Sequence, residues 1–513
     1  MAVSKIKIIP SAVFMLLSVV TCSEATSNSG ANSYFENISK SIDGVFAPIM
    51  NETDRYFLYQ ACLAISCFLL LVELGFFIVV YFHLLPSLQK LTKPHAFPTN
   101  TVQFMKRILD SVREIKCYSF EQYIEGFFRG AKFEEVRQEN FKSFLAWAMF
   151  GKHLKDLSSQ DKVDINEVSE YAAHIHPAVR KVKPGFNPNI KHCCMTLEPI
   201  PTIHRPLMTY VIVALMEALA NTLFLRMRGF QSLEVDGMTY WYRKNVGSQS
   251  AEGSSASQSQ SSSGDEPLVF LHGISTGWML YLQLARALSK NRTLILIDLD
   301  AIKIKSMTFS MPTPEKFVER FRKVLDRHHI PRASVVGHSF GSITAGWLAS
   351  RCPERVSHLT LLDPVSMLLA FPEVSYSFLY RQPTKITEWI IYLMASRELT
   401  ISHTLHRHFW WYNNNLWLED VPSHIGVVVG LATHDEIINP TAVHEYVRNC
   451  DAKRRSSCSS AAVAPIECTV WEGYSHGQIL IPTAHQSRLV ATVKCNEQAG
   501  CCSACGSASS AVK

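Results

Sequence analysis

A serine with the surroundings of a nucleophile stands at the centre of the motif Gly-His-Ser-Phe-Gly. Ser339 follows the apolar run Ala333–Val336 and precedes a helical run, and Gly337 and Gly341 lie two positions before and after it. A serine displayed on a sharp strand-to-helix turn needs small residues at those positions, because neighbouring backbone crowds the turn. The N–H groups that open the helix point towards a developing oxyanion. The motif therefore predicts Ser339 as the nucleophile of an acyl-transfer reaction.

A second motif upstream predicts the groups that would bind the oxyanion. The apolar run Val269–Leu271 is followed directly by His272 and Gly273. The backbone N–H of Ile274, the residue after this glycine, and that of Phe340 lie where two oxyanion donors are needed. Gly273 permits the close approach of backbone, and we interpret His272 as a structural residue.

An acid and a base follow downstream. The run Val427–Gly430 leads into a loop with Asp435, and the run Glu467–Trp471 leads into a loop with His476. The order nucleophile, acid, base is the order expected for a serine on such a turn. We expect His476 to take the serine proton and Asp435 to fix the tautomer of the imidazole. Asp363, after an earlier apolar run, is the rival candidate for the acid, although a turn-capping role is commoner there.

The elements that must bring these residues together alternate along the second half of the chain. Continuously apolar runs predict strands buried on both faces, and amphipathic stretches between them predict helices. A mostly parallel, doubly covered sheet follows, preceded by a hairpin around Asp236 and Gly237. The strand-like runs are Leu268–Leu271, Thr293–Ile297, Ala333–Val336, Leu359–Leu362, Val427–Gly430 and Glu467–Trp471, and the helical stretches include Met279–Ser289, Pro314–Arg327 and Ser342–Ser350.

With these motifs in this order, the region from about Phe230 to Val493 resembles the α/β-hydrolase superfamily. The resemblance implies an α/β-hydrolase domain over residues 228–493, with a helical lid over residues 366–420 and the elbow, oxyanion, acid and base roles assigned above. Serine at the elbow, where dehalogenases and epoxide hydrolases of this fold have aspartate, argues against their chemistry. The sequence departs from the family at Ala301–Lys303, where relatives usually have a glycine-rich loop, so the pocket wall is expected to differ there.

The N-terminal part of the chain carries signals for membrane insertion. Residues 1–25 read as a signal peptide, with a first anchor that is never cleaved as the alternative. Residues 26–55 contain glycosylation sequons at Asn37 and Asn51, which are usable only in the secretory lumen. The apolar and aromatic run over residues 56–85 predicts a transmembrane helix, and the Lys and Arg residues that follow it place its C-terminal side in the cytoplasm.

Polar residues within the apolar segments bear on this topology. Glu73 interrupts the predicted span, where a carboxylate needs protonation, access to the interface or a partner. A second apolar segment, residues 207–227, is long enough to span, but Glu217 and Asn221 lie on one helical face and suit an interfacial helix at least as well. If this segment spans, the catalytic domain moves to the lumen.

Residues 86–227 as a whole are predicted to be a mainly helical, membrane-proximal region. Helical periodicity is clearest over residues 102–115 and 120–150, and a looser stretch rich in Pro and His follows.

Two further segments of low complexity lie outside this region. Residues 246–264 are almost entirely Ser, Gln, Gly and Ala and predict a flexible loop. The tail over residues 494–513 favours reversible acylation of its cysteines, with a solvated tail without function as the alternative. Its cysteines are Cys495, Cys501, Cys502 and Cys505.

Charge and composition narrow the function classes. The formal net charge of +6 is small for 513 residues, and Lys and Arg are scattered, so no nucleic-acid-binding surface is indicated. His403, His406 and His408 lack a matching set of Cys or carboxylate ligands, so neither a metal nor another cofactor is expected. The aromatic stretches 389–394, 408–412 and 416–418 of the lid suit a pocket for an apolar acyl chain or a face that enters a membrane, with ordinary packing as the alternative.

These observations predict a membrane-anchored serine hydrolase that cleaves carboxylic esters of lipids or other apolar compounds through an acyl-enzyme. An acyltransferase and a non-catalytic binding module on the same fold are the alternatives. The expected location is a membrane of the endomembrane system or the plasma membrane, crossed once or twice. The expected partners are the membrane and an apolar ester, and nothing in the sequence indicates a protein partner.

Overall fold

The structure is a computed structural model that describes residues 52–95, 97, 100–245, 266–304, 306–457, 463–481 and 483–499. The expected signal peptide, the asparagines of the two sequons, the loop 246–264 and the side chains of the four tail cysteines lie outside these residues. The described chain divides into two compact units. The first comprises the residues up to 89 together with 203–210, and the second comprises residues 90–202 and those from 211 onwards.

The first unit is built on one long apolar helix. Helix α1 (Glu52–Ile78) continues through a π-helical turn (Val79–Leu84) into α2 (Leu85–Leu88). Over Tyr56–Leu88 this helix is long and apolar enough to cross a membrane, and it runs three residues beyond the expected boundary at 85.

Glu73 of α1 has partners within this unit. Its Oε2 accepts the backbone N–H of Leu207 at 2.7 Å, and its Oε1 lies 3.3 Å from Nε2 of His204. Leu207 is the first residue of helix α7 (Leu207–Ala220), whose opening N–H groups have no partner inside the helix. Glu73 therefore acts as a cap from a neighbouring helix, which accounts for a carboxylate in an otherwise apolar segment.

The second unit begins with a layer of four helices. They are α3 (Thr101–Glu114), α4 (Phe120–Phe127), α5 (Gln138–Phe150) and α6 (Ser159–Ile175). The periodic stretch 120–150 is two helices, because Arg129 and Gly130 take φ angles of 59° and 85° and end α4. The prediction of a looser stretch after residue 150 was wrong in part, because α6 occupies residues 159–175 of it. The signal for α6 was its capping box, in which the Ser158 side chain accepts from the N–H of Asp161.

An eight-stranded sheet forms the centre of the second unit. The spatial order is β1-β2-β4-β3-β5-β6-β7-β8, with β1 antiparallel to β2, β2 antiparallel to β4, and all other neighbours parallel. The predicted fold class and all six predicted core strands are confirmed. The strands are β1 (Gln231–Val235), β2 (Met238–Arg243), β3 (Leu268–Leu271), β4 (Leu294–Ile297), β5 (Ala333–His338), β6 (Val356–Leu362), β7 (Gly426–Ala432) and β8 (Ile466–Trp471).

Helices cover both faces of this sheet. In β3, Val269 and Leu271 belong to one hydrophobic core, whereas Leu268 and Phe270 belong to another, as expected for alternate side chains of a strand. The helices are α8 (Leu282–Leu288), α9 (Pro314–Arg327), α10 (Gly341–Arg351), α14 (Pro440–Ser457) and α15 (Thr483–Ala499), with the short helices α11 (Pro372–Ser375), α12 (Ile386–Ile391) and α13 (Leu399–His403) between β6 and β7.

Helix α9 shows how the sequence determines this packing. Thr313 caps its first turn by accepting from the N–H of Lys316, and Pro314 stands at the first helical position. Phe317 and Phe321, one turn apart, are fully buried in the core that also contains Val269.

Phe321→Ala should lower the free energy of unfolding by about 3–5 kcal/mol, because it removes a fully buried ring and leaves a cavity. Val163→Ala on the exposed side of α6 is the control and should change stability by no more than about 0.5 kcal/mol. Denaturant unfolding of the two purified variants checks this. Equal stability of both variants would contradict the assigned core.

Candidate active site

Ser339 stands at the turn between β5 and α10. Its φ angle is 51°, in the left-handed region that a non-glycine residue rarely adopts. Its N–H donates to the carbonyl of Leu362 at 2.9 Å, and its carbonyl accepts from the hydroxyl of Ser342 at 2.6 Å. Bonds from both sides thus hold the strained residue, a combination typical of functional sites.

Steric crowding by neighbouring backbone atoms requires the glycines that flank the turn. A Cβ on Gly341 would overlap the carbonyl oxygen of Leu271 at the end of β3, and one on Gly337 would lie 2.6 Å from the carbonyl oxygen of Gly341. Backbone atoms cannot move aside as a flexible side chain can, so any larger residue would displace a strand end. Gly273 faces the turn in the same way, since a Cβ there would lie 2.9 Å from the Cβ of Ser339.

The structure brings Ser339, His476 and Asp435 into one hydrogen-bonded row. Nε2 of His476 lies 2.8 Å from Oγ of Ser339, and its Nδ1 lies 2.7 Å from Oδ2 of Asp435. Oδ1 of Asp435 accepts the N–H groups of Ile437 and Ile438 at 2.7 and 3.0 Å. The carboxylate is thereby fixed in position, and its bond to Nδ1 favours the tautomer of His476 that leaves Nε2 free to accept the serine proton.

The charges around His476 set its affinity for a proton. Burial by itself lowers the pKa of this imidazole, but Asp435, Asp363 and Glu436 outweigh burial and raise the pKa to about 9. Glu436 also accepts the backbone N–H of His476 at 3.1 Å. A proton on His476 is therefore strongly stabilised, as the imidazolium that forms during acyl transfer must be.

Asp363, the rival candidate for the acid, lies in the site but has other partners. Its Oδ1 accepts the N–H of Ala432 at 2.9 Å and its Oδ2 accepts the N–H of Gly477 at 2.8 Å. Burial raises its pKa to about 6. Asp363 thus joins the end of β7 to the loop that carries His476. Of the two carboxylates, Asp435 is the one that bonds to the imidazole.

Among the described residues, Asp363, Asp435 and His476 are the group whose spacing could also hold a metal ion. Both nitrogens of His476 already face Ser339 and Asp435, however, and Asp363 is engaged by two N–H groups. This arrangement suits proton transfer to and from the serine.

The loop after β3 is fixed by buried hydrogen bonds. Nδ1 of His272 bonds to the carbonyl of Gly273 at 2.8 Å, and its Nε2 accepts the N–H of Leu299 at 3.1 Å. The Tyr281 hydroxyl accepts the N–H of Gly273 at 2.9 Å and lies 3.0 Å from Nδ1 of His338. The position of Gly273, and hence of the next residue along the chain, depends on these side chains.

The segment that replaces the family's glycine-rich loop supports the same region. The buried ammonium of Lys303 lies 3.3 Å from Asp298 and 2.7 Å from Asp300. Ser275 and Ile304 join the two segments, because the N–H of Ile304 donates to the carbonyl of Ser275 at 3.0 Å. The segment 301–303 is therefore held in place by charged and backbone contacts, and its neighbours Ser275 and Ile304 line the cavity.

A mostly apolar cavity of about 460 Å³ opens beside the serine. Ser339, His476 and the two residues expected to bind the oxyanion, Ile274 and Phe340, all line it. Its other walls are largely aliphatic and aromatic, including Val365, Phe378, Ile391, Met394 and Leu405. Such a cavity accommodates a hydrophobic group and offers few polar contacts.

The aromatic density of the lid is used mainly for packing. Trp410, Trp411 and Tyr412 are buried, and Trp411 and Trp417 lie against Phe104 of α3 at ring distances of 5.8 and 6.1 Å. Of the stretch 408–412, Phe409 lines the cavity. Ile390, Ile391 and Met394 of the stretch 389–394 line it as well, so the expected pocket wall is formed by 389–394 and Phe409, and the rest of 408–412 packs in the core.

Three residues of the site had no signal in the sequence. Tyr281 lies eight residues beyond Gly273 within a predicted helix, and nothing in its spacing indicates that its hydroxyl turns back to that backbone. His338 and Glu436 are neighbours of predicted residues, but their contacts depend on how the loops meet.

Comparisons with known proteins agree with this geometry. Residues 266–425 match the family described as the alpha/beta hydrolase fold. The chain is 28% identical over 129 residues to the abhydrolase domain-containing protein abhd-5.2 of Caenorhabditis elegans, which covers 24% of this chain and 29% of that protein. It is 34% identical over 102 residues to the (lyso)-N-acylphosphatidylethanolamine lipase of Mus musculus, which covers 19% of this chain and 30% of that protein.

Similar solved structures include a membrane phospholipase A, a bacterial virulence factor. Its TM-score is 0.39 at 15% identity, covering 56% of this chain and 94% of that chain. Another is the naproxen esterase of Bacillus subtilis, with a TM-score of 0.37 at 14% identity, covering 55% and 96%. The matches to the curated relatives named above span about 30% of their lengths. From its strand order and the family match, the region of about residues 230–493 belongs to the α/β-hydrolase superfamily.

Tyr281→Phe should lower the free energy of unfolding by about 1–3 kcal/mol, because it leaves the buried N–H of Gly273 without its acceptor. Tyr376→Phe, which removes a hydroxyl from a partly exposed tyrosine, is the control and should stay within about 0.5 kcal/mol of the wild type. Denaturant unfolding distinguishes the two. A Tyr281→Phe variant as stable as the control would show that the loop after β3 does not depend on this hydroxyl.

Proposed function

We propose that this protein is a serine hydrolase that cleaves carboxylic esters of lipids or other apolar compounds through an acyl-enzyme. The observation that carries the proposal is the row Ser339–His476–Asp435, with contacts of 2.8 and 2.7 Å, at the wall of an apolar cavity. Nucleophile, base and orienting acid within hydrogen-bond reach are what covalent acyl transfer requires.

Acylation begins when Oγ of Ser339 attacks the ester carbonyl and its proton passes to Nε2 of His476. Asp435 stabilises the imidazolium through Nδ1. The negative charge on the former carbonyl oxygen is bound by the backbone N–H groups of Ile274 and Phe340, in our assignment. His476 then returns the proton to the departing alcohol, and the acyl group stays on Ser339.

Deacylation repeats the steps with water as nucleophile. His476 removes a proton from water, the hydroxide oxygen attacks the acyl carbon, and the proton returns to Oγ of Ser339 as the acid leaves. Release of the free acid, measured against transfer of the acyl group to an added alcohol, distinguishes hydrolysis from acyl transfer.

The substrate class follows from the cavity, whose largely aliphatic lining favours an acyl chain over a polar group. The lipase named above acts on a lipid according to its name, and we extend that substrate class to this chain. The helix Tyr56–Leu88 is proposed as the membrane anchor, in line with its length and composition. The excess of Lys and Arg after it favours a cytosolic hydrolase domain over residues 228–493.

Ser339→Ala should abolish labelling by a fluorophosphonate probe, because the probe needs the activated hydroxyl. His476→Ala should slow labelling by about 10²–10⁴-fold, the usual contribution of a general base. The matched control is Ser350→Ala in the same helix, whose hydroxyl bonds only to the carbonyl of Gly346. Labelling rates of the detergent-solubilised protein measure all three. Full labelling of Ser339→Ala or His476→Ala would refute the proposed roles.

The rate of ester hydrolysis should also rise with pH up to the pKa of His476. Its pKa is raised to about 9, and only the neutral imidazole accepts the serine proton. Below that pKa, kcat/KM on a water-soluble ester should therefore rise about tenfold per pH unit and level off near pH 9. Ser339→Ala provides the blank for spontaneous hydrolysis. A profile that is flat from pH 6 to 9 would contradict the assignment of His476 as base.

A further inference from the structure

Helix α7 and its π-helical continuation (Asn221–Leu225) have their polarity reversed relative to a helix on a water-facing surface. Ile212, Leu215, Met216 and Leu219 recur at helical spacing and are 50, 65, 50 and 60% exposed. Glu217 is only 3% exposed. The apolar face of the helix thus points outward and its carboxylate points inward, so water is the wrong medium for the outer face.

Glu217 determines this rotation of the helix. Its carboxylate lies so close to Gly277 that a Cβ there would overlap it. Burial lowers the pKa of Lys303, but Asp298, Asp300 and then Glu217 outweigh burial and raise it. A buried carboxylate needs such a compensating charge. Turning the helix to bury its apolar face would move Glu217 away from the positive charge of Lys303, which is costly.

The rim of the cavity is apolar and exposed in the same way. Leu280, Ile390 and Ile481 line the cavity beside Ser339 and are nonetheless 50, 56 and 67% exposed. Leu280 belongs to the turn Gly277–Tyr281, the turn that Glu217 contacts. The inward face of α7 therefore packs against the turn that carries Leu280 of the rim.

We call this surface the collar. It comprises Ile212, Leu215, Met216 and Leu219 of α7, Leu280 of the turn Gly277–Tyr281, Ile386, Trp389 and Ile390 of α12, and Ile481. All its members are apolar. Large exposed apolar surfaces mark sites of association with a protein or a membrane.

The contacts of α7 favour a membrane as the occupant. Within the first unit, the N–H of Leu207 at the start of α7 donates to Glu73 of α1, so α7 begins beside α1. The side chains of α1 are apolar and exposed around the helix, including Phe57, Phe68 and Leu71, and a helix of that kind needs lipid around it. Lipid is therefore adjacent to the place where α7 starts.

We propose that the collar lies in the surface of the bilayer and that the ester enters the cavity directly from the lipid. This inference rests on the proposed function, because it concerns the same serine site. It makes α7 an interfacial helix, with its carboxylate in the protein and its apolar face in the lipid, and not a second span. The hydrolase would then prefer esters dissolved in the membrane to the same chemistry presented in water.

Quenching of tryptophan fluorescence by brominated lipids tests the position of the collar. All nine tryptophans fall within described residues, and eight are at most 9% exposed, whereas Trp389 of the collar is 46% exposed. Full-length protein in phosphatidylcholine vesicles should show a quenched fraction that disappears in Trp389→Phe. Quenching that is unchanged in that variant, or absent in the wild type, would overturn the proposal without reference to activity.

Kinetics test the route of the substrate. Leu215→Glu with Leu219→Glu, and separately Ile386→Glu, change exposed side chains that do not line the cavity. Relative to hydrolysis of soluble p-nitrophenyl butyrate, their hydrolysis of a long-chain fluorogenic ester embedded in the same vesicles should fall at least tenfold. The control is Val163→Glu on α6, which is 57% exposed and outside the collar, and its ratio should stay within twofold.

The outcomes separate the two proposals. An unchanged ratio in both collar variants, or an equal loss on both esters, would overturn entry from the lipid. If the wild type hydrolyses neither ester and resists the fluorophosphonate, the proposed function fails, and the quenching result still decides whether the collar lies in the bilayer.

Discussion

The site depends on the close approach of two backbones at Gly341. The carbonyl of Leu271 at the end of β3 occupies the space where any other residue would place a Cβ, and α10 can start only because that space is free. This contact leaves Ser339 at a φ of 51°, held from the other side by its hydrogen bond to Leu362 of β6. The ends of three neighbouring strands thus converge on one residue. Buried strands on both sides hold the strained φ angle, which is how such strain persists.

Carboxylates bound to backbone N–H groups fix the loops that meet this serine. Asp363 joins Ala432 to Gly477, and Asp435 accepts from Ile437 and Ile438 while it bonds to the imidazole. Two buried carboxylates near one histidine repel each other. The repulsion is limited because each has its own N–H donors, and because burial raises the pKa of Asp363 to about 6.

Much of this could be predicted from the sequence, and the exceptions have physical reasons. Runs such as Leu268–Leu271 are apolar without alternation because both faces of the strand are buried, and this pattern is local. The glycines around Ser339 are local as well. Tyr281 could not be predicted, because its role is a hydrogen bond to a backbone eight residues away in a different element. The role of the aromatic residues in the lid could not be predicted for a different reason. Periodicity and composition indicate that a tryptophan is buried, but not the partner against which it packs.

The same limit applies to α7, where a helical pattern defines two faces but not which one meets the protein. Glu217 and Asn221 on one helical face suggested an interfacial helix, and in the structure Glu217 is buried beside Gly277. What decides the matter is a distant residue: Lys303 stands where a glycine-rich loop was expected, and it provides a positive charge beneath the helix. Glu217 lies against Gly277 and contributes to the negative field around the buried ammonium of Lys303, so α7 is seated with its carboxylate inward. Its outer face is left apolar and exposed, and such a face requires a nonpolar medium.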